Sequence, residues 1–247
     1  MKEAPVLLWP ALAPGAGALR LEGAAQHYLC YVLRLRAGDA VELRDGRGGL
    51  AAARLERVTR AAAELVHGPR ETPLPPAQPE LHLALPLLKG RRLDWVLEKG
   101  TELGVAGFAL YLGRHGVVQR ETRPERYAEI LRAAFMQSRR LLLPSLGGPQ
   151  PFADLLADAR ERGWRQCWAD ERRAGQGDGP LPAADARPLL AWIGPEGGFA
   201  AEEREALGAV AEAALDLGPW RLRAETAALA LACRLLLPVP AQAGWPR

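Results

Sequence analysis

The sequence predicts a small β-barrel followed by a larger α/β domain with a mostly parallel sheet. Three observations predict this order: short strand-like runs fill residues 1–70, five prolines crowd the segment 69–79, and strand-like and helix-like runs alternate from residue 81 onward. Prolines are excluded from helix interiors and from strand ladders, so the crowded segment is expected to be an extended linker. The predicted boundaries are therefore 1–70 for the barrel, 71–80 for the linker and 81–247 for the α/β domain.

The predicted barrel has four strands and one helix. Apolar runs and apolar–polar alternation predict strands over 6–9, 39–44, 50–58 and 62–66, and a helix over 24–33. The glycine-rich segment 45–49 joins the second and third of these strands as a hairpin. Short strands joined in this way are typical of a small barrel.

In the second domain, segments with the two-residue periodicity of strands alternate with segments that have the 3.6-residue periodicity of helices. Strands are predicted over 81–87, 105–112, 164–168, 189–193 and 215–217, and helices over 91–103, from Pro124 onward, and over 151–162, 201–214 and 225–236. Repeated β–α alternation predicts a mostly parallel sheet with helices on both faces. Ligands of such sheets bind in the loops that follow the carboxyl ends of the strands.

Composition excludes several classes of protein. The 247 residues are 49% hydrophobic and 25% charged, as in an ordinary globular protein. The chain has no charge-free run of about 18 apolar residues, so no membrane span is predicted. The apolar run that ends at Trp9 is too short for a signal peptide. Cys30, Cys167 and Cys233 fit neither a disulfide framework nor a zinc site. We expect a soluble, cytoplasmic protein with three inert thiols.

Positive charge is concentrated in the first part of the chain. Residues 1–70 hold 10 Lys and Arg against 7 Asp and Glu, residues 88–140 hold 11 against 6, and residues 141–247 hold 11 against 14. This distribution indicates an anionic partner such as RNA, although solvated surface charge alone would also account for it.

Two motifs lie where a predicted strand gives way to a predicted helix. One is Gly-Pro-Glu-Gly-Gly-Phe over 194–199, whose glycines would let a ligand approach the backbone; a plain tight turn explains it equally well. The other covers 217–227 and contains Arg223, Glu225 and Thr226. Glu225 and Thr226 also favour a helix start, whereas Arg223 has no such structural reason.

Other clusters carry weaker signals. Lys89, Gly90, Arg91 and Arg92 open a predicted helix, where cations are unfavourable with the helix dipole, so a phosphate contact is a hypothesis for them. The glycine-rich stretch 175–180 is interpreted as a surface loop. The four histidines have no spacing typical of a metal site or a catalytic triad.

Taken in order, these motifs resemble the RsmE-type ribosomal RNA methyltransferases of the SPOUT class. The resemblance rests on the motifs at 194–199 and 217–227, on Lys89-Gly90-Arg91 with Trp95 and 99–105, on Gln137, Ser138, Arg140 and Pro144, and on His27 with 32–34 and 38–39. The chain departs from the usual family pattern at Met136, Ala200, Trp220 and Ala224.

The resemblance implies a PUA-like RNA-binding barrel and a SPOUT domain with a deep trefoil knot. It further implies a homodimer that binds S-adenosylmethionine and 16S ribosomal RNA of the small subunit, with N3-methyluridine as the product. No metal is expected. Two alternatives stay open: methylation of another RNA position, and a non-catalytic RNA-binding protein on the same frame.

The resemblance also assigns site residues. The cofactor is expected at Ile193, Gly194, Pro195, Glu196, Gly197, Leu217, Gly218, Leu222, Arg223 and Thr226, and the RNA at Arg34, Arg36, Lys89, Arg91, Lys99 and Arg140. Uridine N3 is a poor nucleophile until it loses its proton. Arg223 is therefore the candidate that stabilises the anionic base, and Glu196 or Glu225 is the candidate proton acceptor, directly or through water.

Overall fold

The computed structural model describes residues 3–75, 78–116, 122–171, 181–182 and 186–237. These residues form two units: 3–75 with 135–143, and the remainder from residue 78 onward. The segment 135–143 thus belongs to the first unit although it lies far along the chain. The glycine-rich stretch 175–180 lies outside the described residues.

The first unit is built on one mixed sheet. Its strands are β1 (Val6–Leu8), β2 (Gly17–Glu22), β3 (Ala40–Arg44), β4 (Leu50–Val58) and β5 (Ala62–His67). Their order is β1-β3-β4-β5-β2, with β1 parallel to β3 and the other neighbours antiparallel. Four of these strands were predicted and β2 was not. Closure of the sheet into a barrel remains a prediction, because no pairing of β1 with β2 occurs among the described residues.

Apolar side chains from the sheet and from one helix fill the core of this unit. Along β4, Ala51, Ala53 and Leu55 are buried and the residues at 52, 54 and 56 are exposed, which is the period-two pattern of a strand with one face in the core. The helix α1 (Gly23–His27) continues as a π-helical turn over Tyr28–Val32, so the single helix predicted here has two parts.

The segment 135–143 pairs with the hairpin between β3 and β4. The Gly48 N–H donates to the Leu141 carbonyl at 3.0 Å, and the Leu143 N–H donates to the Gly46 carbonyl at 2.9 Å. No local sequence pattern predicted this pairing, because it joins residues almost a hundred positions apart.

The second unit is built on a six-stranded parallel sheet. Its strands are β6 (Leu81–Pro86), β7 (Gly107–Leu112), β8 (Ser145–Pro151), β9 (Arg165–Ala169), β10 (Leu189–Trp192) and β11 (Ala213–Leu215), in the order β11-β9-β10-β6-β7-β8. Every neighbouring pair is parallel, which confirms the predicted sheet type. All residues of β6 and β10 are buried, as expected for strands covered on both faces.

Five helices connect these strands. They are α2 (Arg92–Leu103), α3 (Pro124–Gln137), α4 (Phe152–Glu161), α5 (Ala201–Val210) and α6 (Ala224–Leu236). Residues of α4 and α5 share an aromatic-rich core with Trp168 and Trp192 of the sheet. α6 contacts α2 and the central strand β6. Within the described ranges, no helix is long and apolar enough to cross a membrane.

Two predictions for this unit were wrong. The sequence predicts a helix over 201–214 and a strand over 215–217, but α5 ends at Val210 and β11 occupies Ala213–Leu215. Alanine-rich residues favour a helix here, yet pairing of β11 with Cys167–Ala169 of β9 overrides that preference. The edge strand β8 was missed because its glycines and prolines are unusual in a strand.

Candidate functional site

A cleft of about 840 Å³ opens at the carboxyl ends of three adjacent strands, β9, β10 and β11. Its lining comes from residues 169–171, from 193–199 except Gly197, and from 215–224, together with Arg92, Arg204 and Ala227. This is the edge at which parallel sheets bind ligands, and the volume lies in the range of pockets that hold a small molecule or cofactor.

The loop 193–199, which follows β10, forms one wall. The hydroxyl of Tyr111, wholly buried beneath this loop, donates to the Ile193 carbonyl at 2.7 Å. Burial raises the pKa of Tyr111 well above its usual range, so the phenol remains a neutral donor. The Gly198 N–H closes a turn onto the Pro195 carbonyl at 2.8 Å, and Gly198 has a φ of +73° that favours glycine. The loop is thus fixed by a hydrogen bond from Tyr111 and by a hydrogen bond between two of its own residues.

The opposite wall is the segment 215–224. Asp216 is buried, and its Oδ1 accepts a hydrogen bond from the Gly218 N–H at 2.9 Å. Gly218 has a φ of +108°, a left-handed conformation that favours glycine at this position. The Arg234 guanidinium donates to the Asp216 carbonyl. Trp220 follows on the same wall and is 80% exposed, so its indole stands open to solvent at the cleft.

An arginine joins two carboxylates beside the cleft. Arg92 Nη1 pairs with Glu196 Oε1, and Arg92 Nε lies 3.5 Å from Glu225 Oε1. The second oxygen of this carboxylate, Glu225 Oε2, is buried and has no hydrogen-bond partner within the described part of the chain. Arg221 donates to the Glu196 carbonyl at 3.1 Å, so both arginines hold the loop after β10.

The cleft carries both signs of charge. Arg204 Nη2 lies 2.6 Å from Asp170 Oδ1, and its guanidinium lies 4.9 Å from the centre of the Trp168 ring. The acidic side chains of the lining are Asp170, Glu171, Glu196 and Asp216, and the basic ones are Arg92, Arg204, Arg221 and Arg223. Such a lining suits a ligand that itself has cationic, anionic and hydroxyl groups.

Across the described ranges, no group of three or more His, Cys, Asp or Glu side chains is arranged to hold a metal ion.

The structure brings together most of the residues predicted for the cofactor. Eight of them line the cleft: Ile193, Gly194, Pro195, Glu196, Leu217, Gly218, Leu222 and Arg223. Gly197 does not line it; a Cβ there would lie 3.1 Å from the Cβ of His115. Thr226 is exposed in the first turn of α6 and does not line the cleft. Glu225 does not line it either, but its Oε1 lies 3.5 Å from Nε of Arg92, which does.

The residues predicted to bind RNA are spread over both units, and none lines the cleft. Arg34 and Arg36 are exposed before β3, and Lys89 and Arg91 are exposed before α2.

Lys99 and Arg140 have neighbours of their own. Lys99 donates to Glu102 and Glu98 at 2.8 Å each, and these hydrogen bonds raise the pKa of Lys99 to about 12. Burial lowers the pKa of Arg140 to about 10.

The sequence predictions did not assign six charged residues of the lining to the site: Arg92, Asp170, Glu171, Arg204, Asp216 and Arg221. Asp170 and Asp216 directly follow β9 and β11, so the rule that ligands bind at strand ends could have found them. Arg92 belongs to the basic cluster for which a phosphate contact was the hypothesis, whereas its partner in the structure, Glu196, lies 104 positions away.

Family comparisons cover both units. The family described as "RNA methyltransferase domain" matches residues 75–236, and the one described as "RNA methyltransferase PUA domain" matches residues 21–66.

Individual relatives agree over most of the chain. The ribosomal RNA small subunit methyltransferase E of Bacillus subtilis is 29% identical, covering 85% of this chain and 86% of that protein. The protein of the same description from Mycobacterium tuberculosis is 29% identical, with coverages of 87% and 85%.

Solved structures are similar to the chain over more than nine-tenths of its length. The ribosomal RNA small subunit methyltransferase E of Neisseria gonorrhoeae, bound to S-adenosyl methionine, has a TM-score of 0.81 at 26% identity and covers 94% of this chain and 96% of its own. A probable rRNA methyltransferase from Porphyromonas gingivalis has a TM-score of 0.79 at 29% identity, with coverages of 92% and 95%.

Proposed function

The chain belongs to the RNA methyltransferase family, and from that membership we propose that it transfers the methyl group of S-adenosylmethionine to N3 of a uridine in 16S ribosomal RNA of the small subunit. The observation that supports this most directly is the mixed-charge cleft formed by the loops after β10 and β11. We further propose that it acts in the cytoplasm, on 16S ribosomal RNA or the small subunit.

The glycines and the charged side chains of the lining support S-adenosylmethionine as the ligand of the cleft. Three glycines lie in the lining, Gly194, Gly198 and Gly218. A Cβ on Gly194 would lie 3.1 Å from the Phe199 ring, and Gly198 and Gly218 have positive φ angles, so each position favours a residue without a side chain and leaves its backbone open to a ligand. We propose that the eight predicted residues of the lining hold the cofactor. Carboxylates such as Asp216 suit its hydroxyl and amino groups, and the arginines suit its carboxylate.

We propose that Arg223 stabilises negative charge on the uracil. It is the N-cap residue of α6, it is exposed, and it lines the cleft. Its guanidinium and the helix N-terminus together favour an anion there. When bound, S-adenosylmethionine supplies a methyl group on a cationic sulfonium, and the protein's part is to orient N3 in line with that methyl group.

Removal of the N3 proton falls to a carboxylate. Glu196 and Glu225 are the two candidates, and both are paired with Arg92. Of the two, Glu196 lines the cleft, while Glu225 lies behind Arg92. Proton acceptance by Glu196, directly or through water, would therefore compete with its ion pair.

We further propose the trefoil knot and the homodimer that the family resemblance implies. In support of the knot, the chain leaves β11 at the sheet edge and returns past β9 and β10 to place α6 against β6. In support of a dimer, Trp95, Trp220 and Leu237 are exposed apolar side chains of the second unit. Light scattering should give twice the 26.7 kDa mass of one chain.

Division of labour follows the proposed boundaries. We propose that residues 1–70 bind RNA, that 71–80 link the two parts, and that 81–247 carry out methyl transfer. Arg34 and Arg36 support RNA binding by residues 1–70 because both are exposed cations. Lys89 and Arg91 are exposed cations of 81–247, and we propose that they contact the RNA from the second unit. Lys99 and Arg140 remain part of the proposal, with the ion pairs of Lys99 as competitors for phosphate.

Calorimetry and nucleotide mapping test the proposal. We expect S-adenosylmethionine to bind the folded chain in excess chelator, and mass spectrometry of treated small-subunit RNA to show methyluridine substituted at N3. No binding heat with a folded protein would overturn the methyltransferase function. A methyl group found on another nucleotide or atom would overturn the N3-uridine assignment alone.

A further inference from the structure

The first unit presents an aromatic and cationic surface that its core does not use. It consists of His27, Tyr31, Val32, Arg34 and Arg36, and we call it the helix-end patch. Tyr31 is 52% exposed and Val32 is 58% exposed, although large apolar side chains are normally buried.

The core is filled by other residues of the same segment. Leu29 is fully buried, and Tyr28, Cys30, Leu33 and Leu35 pack against the core cluster from partly buried positions. Tyr31 and Val32 are thus left on the outside, and burial in this unit does not explain them.

The backbone around the patch has an unusual conformation. After α1 the chain forms a π-helical turn, and the Leu33 N–H bonds to the Tyr28 carbonyl at 2.9 Å while the Leu35 N–H bonds to the Leu29 carbonyl at 3.0 Å. π-helical turns are rare in proteins overall, and those that occur are often at functional sites.

Arg34, which follows the C-cap residue Leu33 of this turn, has a φ of +58°. The left-handed position after a helix favours glycine, and a residue with a Cβ is strained there. An exposed arginine held in this conformation supports the hypothesis that its side chain has a function at that point.

The two rings form the beginning of a stack. The centroids of His27 and Tyr31 are 5.3 Å apart with an interplanar angle of 16°, as for residues one turn apart on a helix. Aromatic side chains accept nucleobases on such faces without strong sequence preference. No acidic residue occurs between His27 and Gly38, and Asp39, which follows, accepts a hydrogen bond from the Arg36 N–H at 2.7 Å. The two arginines against one carboxylate leave a positive charge that favours a polyanion.

We propose that the helix-end patch stacks an unpaired base of the RNA on Tyr31, backed by His27, and that Arg34 contacts the adjoining phosphate. The inference rests on the proposed function, since it names how that RNA is held by the first unit. Stacking on Tyr31 and the phosphate contact of Arg34 make different contributions to binding, and the two can be measured separately.

Salt dependence of RNA binding separates these contributions. The probe is transcribed 16S ribosomal RNA, and the full-length variants are Tyr31→Ala, Tyr31→Phe and Arg34→Gly, with Val66→Ala as the control because Val66 is an exposed apolar residue on β5. Tyr31→Ala should weaken binding about 5- to 100-fold with an unchanged salt slope, as loss of one stacked base does. Tyr31→Phe and Val66→Ala should bind like the unaltered chain.

Arg34→Gly should lower the salt slope by about one unit, because one phosphate contact is lost. It should also raise the melting temperature, since glycine relieves the left-handed strain. S-adenosylmethionine affinity should be unchanged in every variant.

Unchanged RNA binding by Tyr31→Ala would overturn this inference and leave the proposed function standing. A Tyr31→Ala variant with normal RNA binding but a changed mass in light scattering would assign the patch to a second copy of the chain instead. Failure of the unaltered chain to bind the RNA would overturn the proposed function and this inference together.

Discussion

Arg92 Nε lies 3.5 Å from Glu225 Oε1, and the other oxygen of that carboxylate is buried without a hydrogen-bond partner among the described residues. The same guanidinium pairs with Glu196. Arg92 therefore offsets the charge of a poorly solvated carboxylate at the start of α6 and also holds the loop after β10. Loss of Arg92 would affect both walls of the cleft.

We expect Arg92→Ala to lower the free energy of unfolding by about 1–3 kcal/mol, because Glu225 is left with an unpaired charge. Adding Glu225→Gln should recover part of this loss, which thermal denaturation of the single and double variants would measure. Arg126→Ala is the matched control, since it breaks an ion pair with Asp94 in which the arginine is exposed. Strictly additive effects of Arg92→Ala and Glu225→Gln would contradict the coupling.

Arg223→Ala should reduce turnover by about 10²–10³-fold, as for the loss of one donor that stabilises a developing anion. S-adenosylmethionine affinity should change much less, because seven other predicted residues of the lining remain. Arg221→Ala is the comparison, since Arg221 lines the same cleft but is bonded to the Glu196 carbonyl. Normal turnover in Arg223→Ala would remove this residue from the mechanism.

The α5 helix begins with half of a capping interaction. Glu203 Oε2 accepts a hydrogen bond from the Ala200 N–H at 2.8 Å, but Ala200 has no side-chain oxygen to return one to the helix. Ala200→Ser should complete this box and stabilise the protein by about 0.5–2 kcal/mol. Calorimetry should then show a melting temperature about 2–4 °C higher per kcal/mol gained. Ala201→Ser, one position later, is the control and should give no such gain.

Local periodicity explains which parts of the fold were predictable. The strands β4, β6 and β10 have unbroken apolar patterns, and their bounds were predicted within one residue. The edge strand β8 has no such pattern, since Gly147, Gly148 and Pro149 interrupt it. Its pairing with β7 is a property of the tertiary structure that the local sequence does not encode.

The candidate site follows the same division. The loops after β10 and β11 were found because glycines and arginines mark the ends of predicted strands. Arg92 was not assigned to the site, because only the folded sheet brings the start of α2 to Glu196. Contacts between distant positions were the part that reasoning from one sequence could not supply.

Asp45 should make the stability of the first unit dependent on pH. Burial alone would raise the pKa of Asp45, but hydrogen bonds from the Arg47 and Gly49 N–H groups and from the Arg70 guanidinium outweigh it, and the pKa is lowered. A lowered pKa stabilises the fold above the value of the unfolded carboxyl, about 3.9, and this contribution is lost as the pH falls further.

Asp45→Asn should therefore cost about 1.5–3 kcal/mol at pH 7, and the difference from the unaltered chain should shrink as the pH falls below about 4. Urea unfolding at a series of pH values measures it. Asp39→Asn, at an exposed carboxylate that accepts one backbone hydrogen bond from Arg36, is the control. A difference that stays constant from pH 7 to pH 3 would contradict the role given to the Asp45 charge.

A chain that begins at Pro79 should retain S-adenosylmethionine binding, because every residue of the cleft lies between Arg92 and Ala227 in the second unit. It should be less stable than the full chain, since Leu141 and Leu143 lose their hydrogen bonds to Gly48 and Gly46. Its affinity for 16S ribosomal RNA should fall by at least about tenfold at moderate salt, because the cations of residues 1–70 are gone. Calorimetry with S-adenosylmethionine and fluorescence anisotropy with labelled RNA measure the two affinities, with the full chain as the reference. Undiminished RNA binding would remove the RNA-binding role from residues 1–70, whereas a folded short chain that no longer binds S-adenosylmethionine would show that the first unit supports the cofactor site.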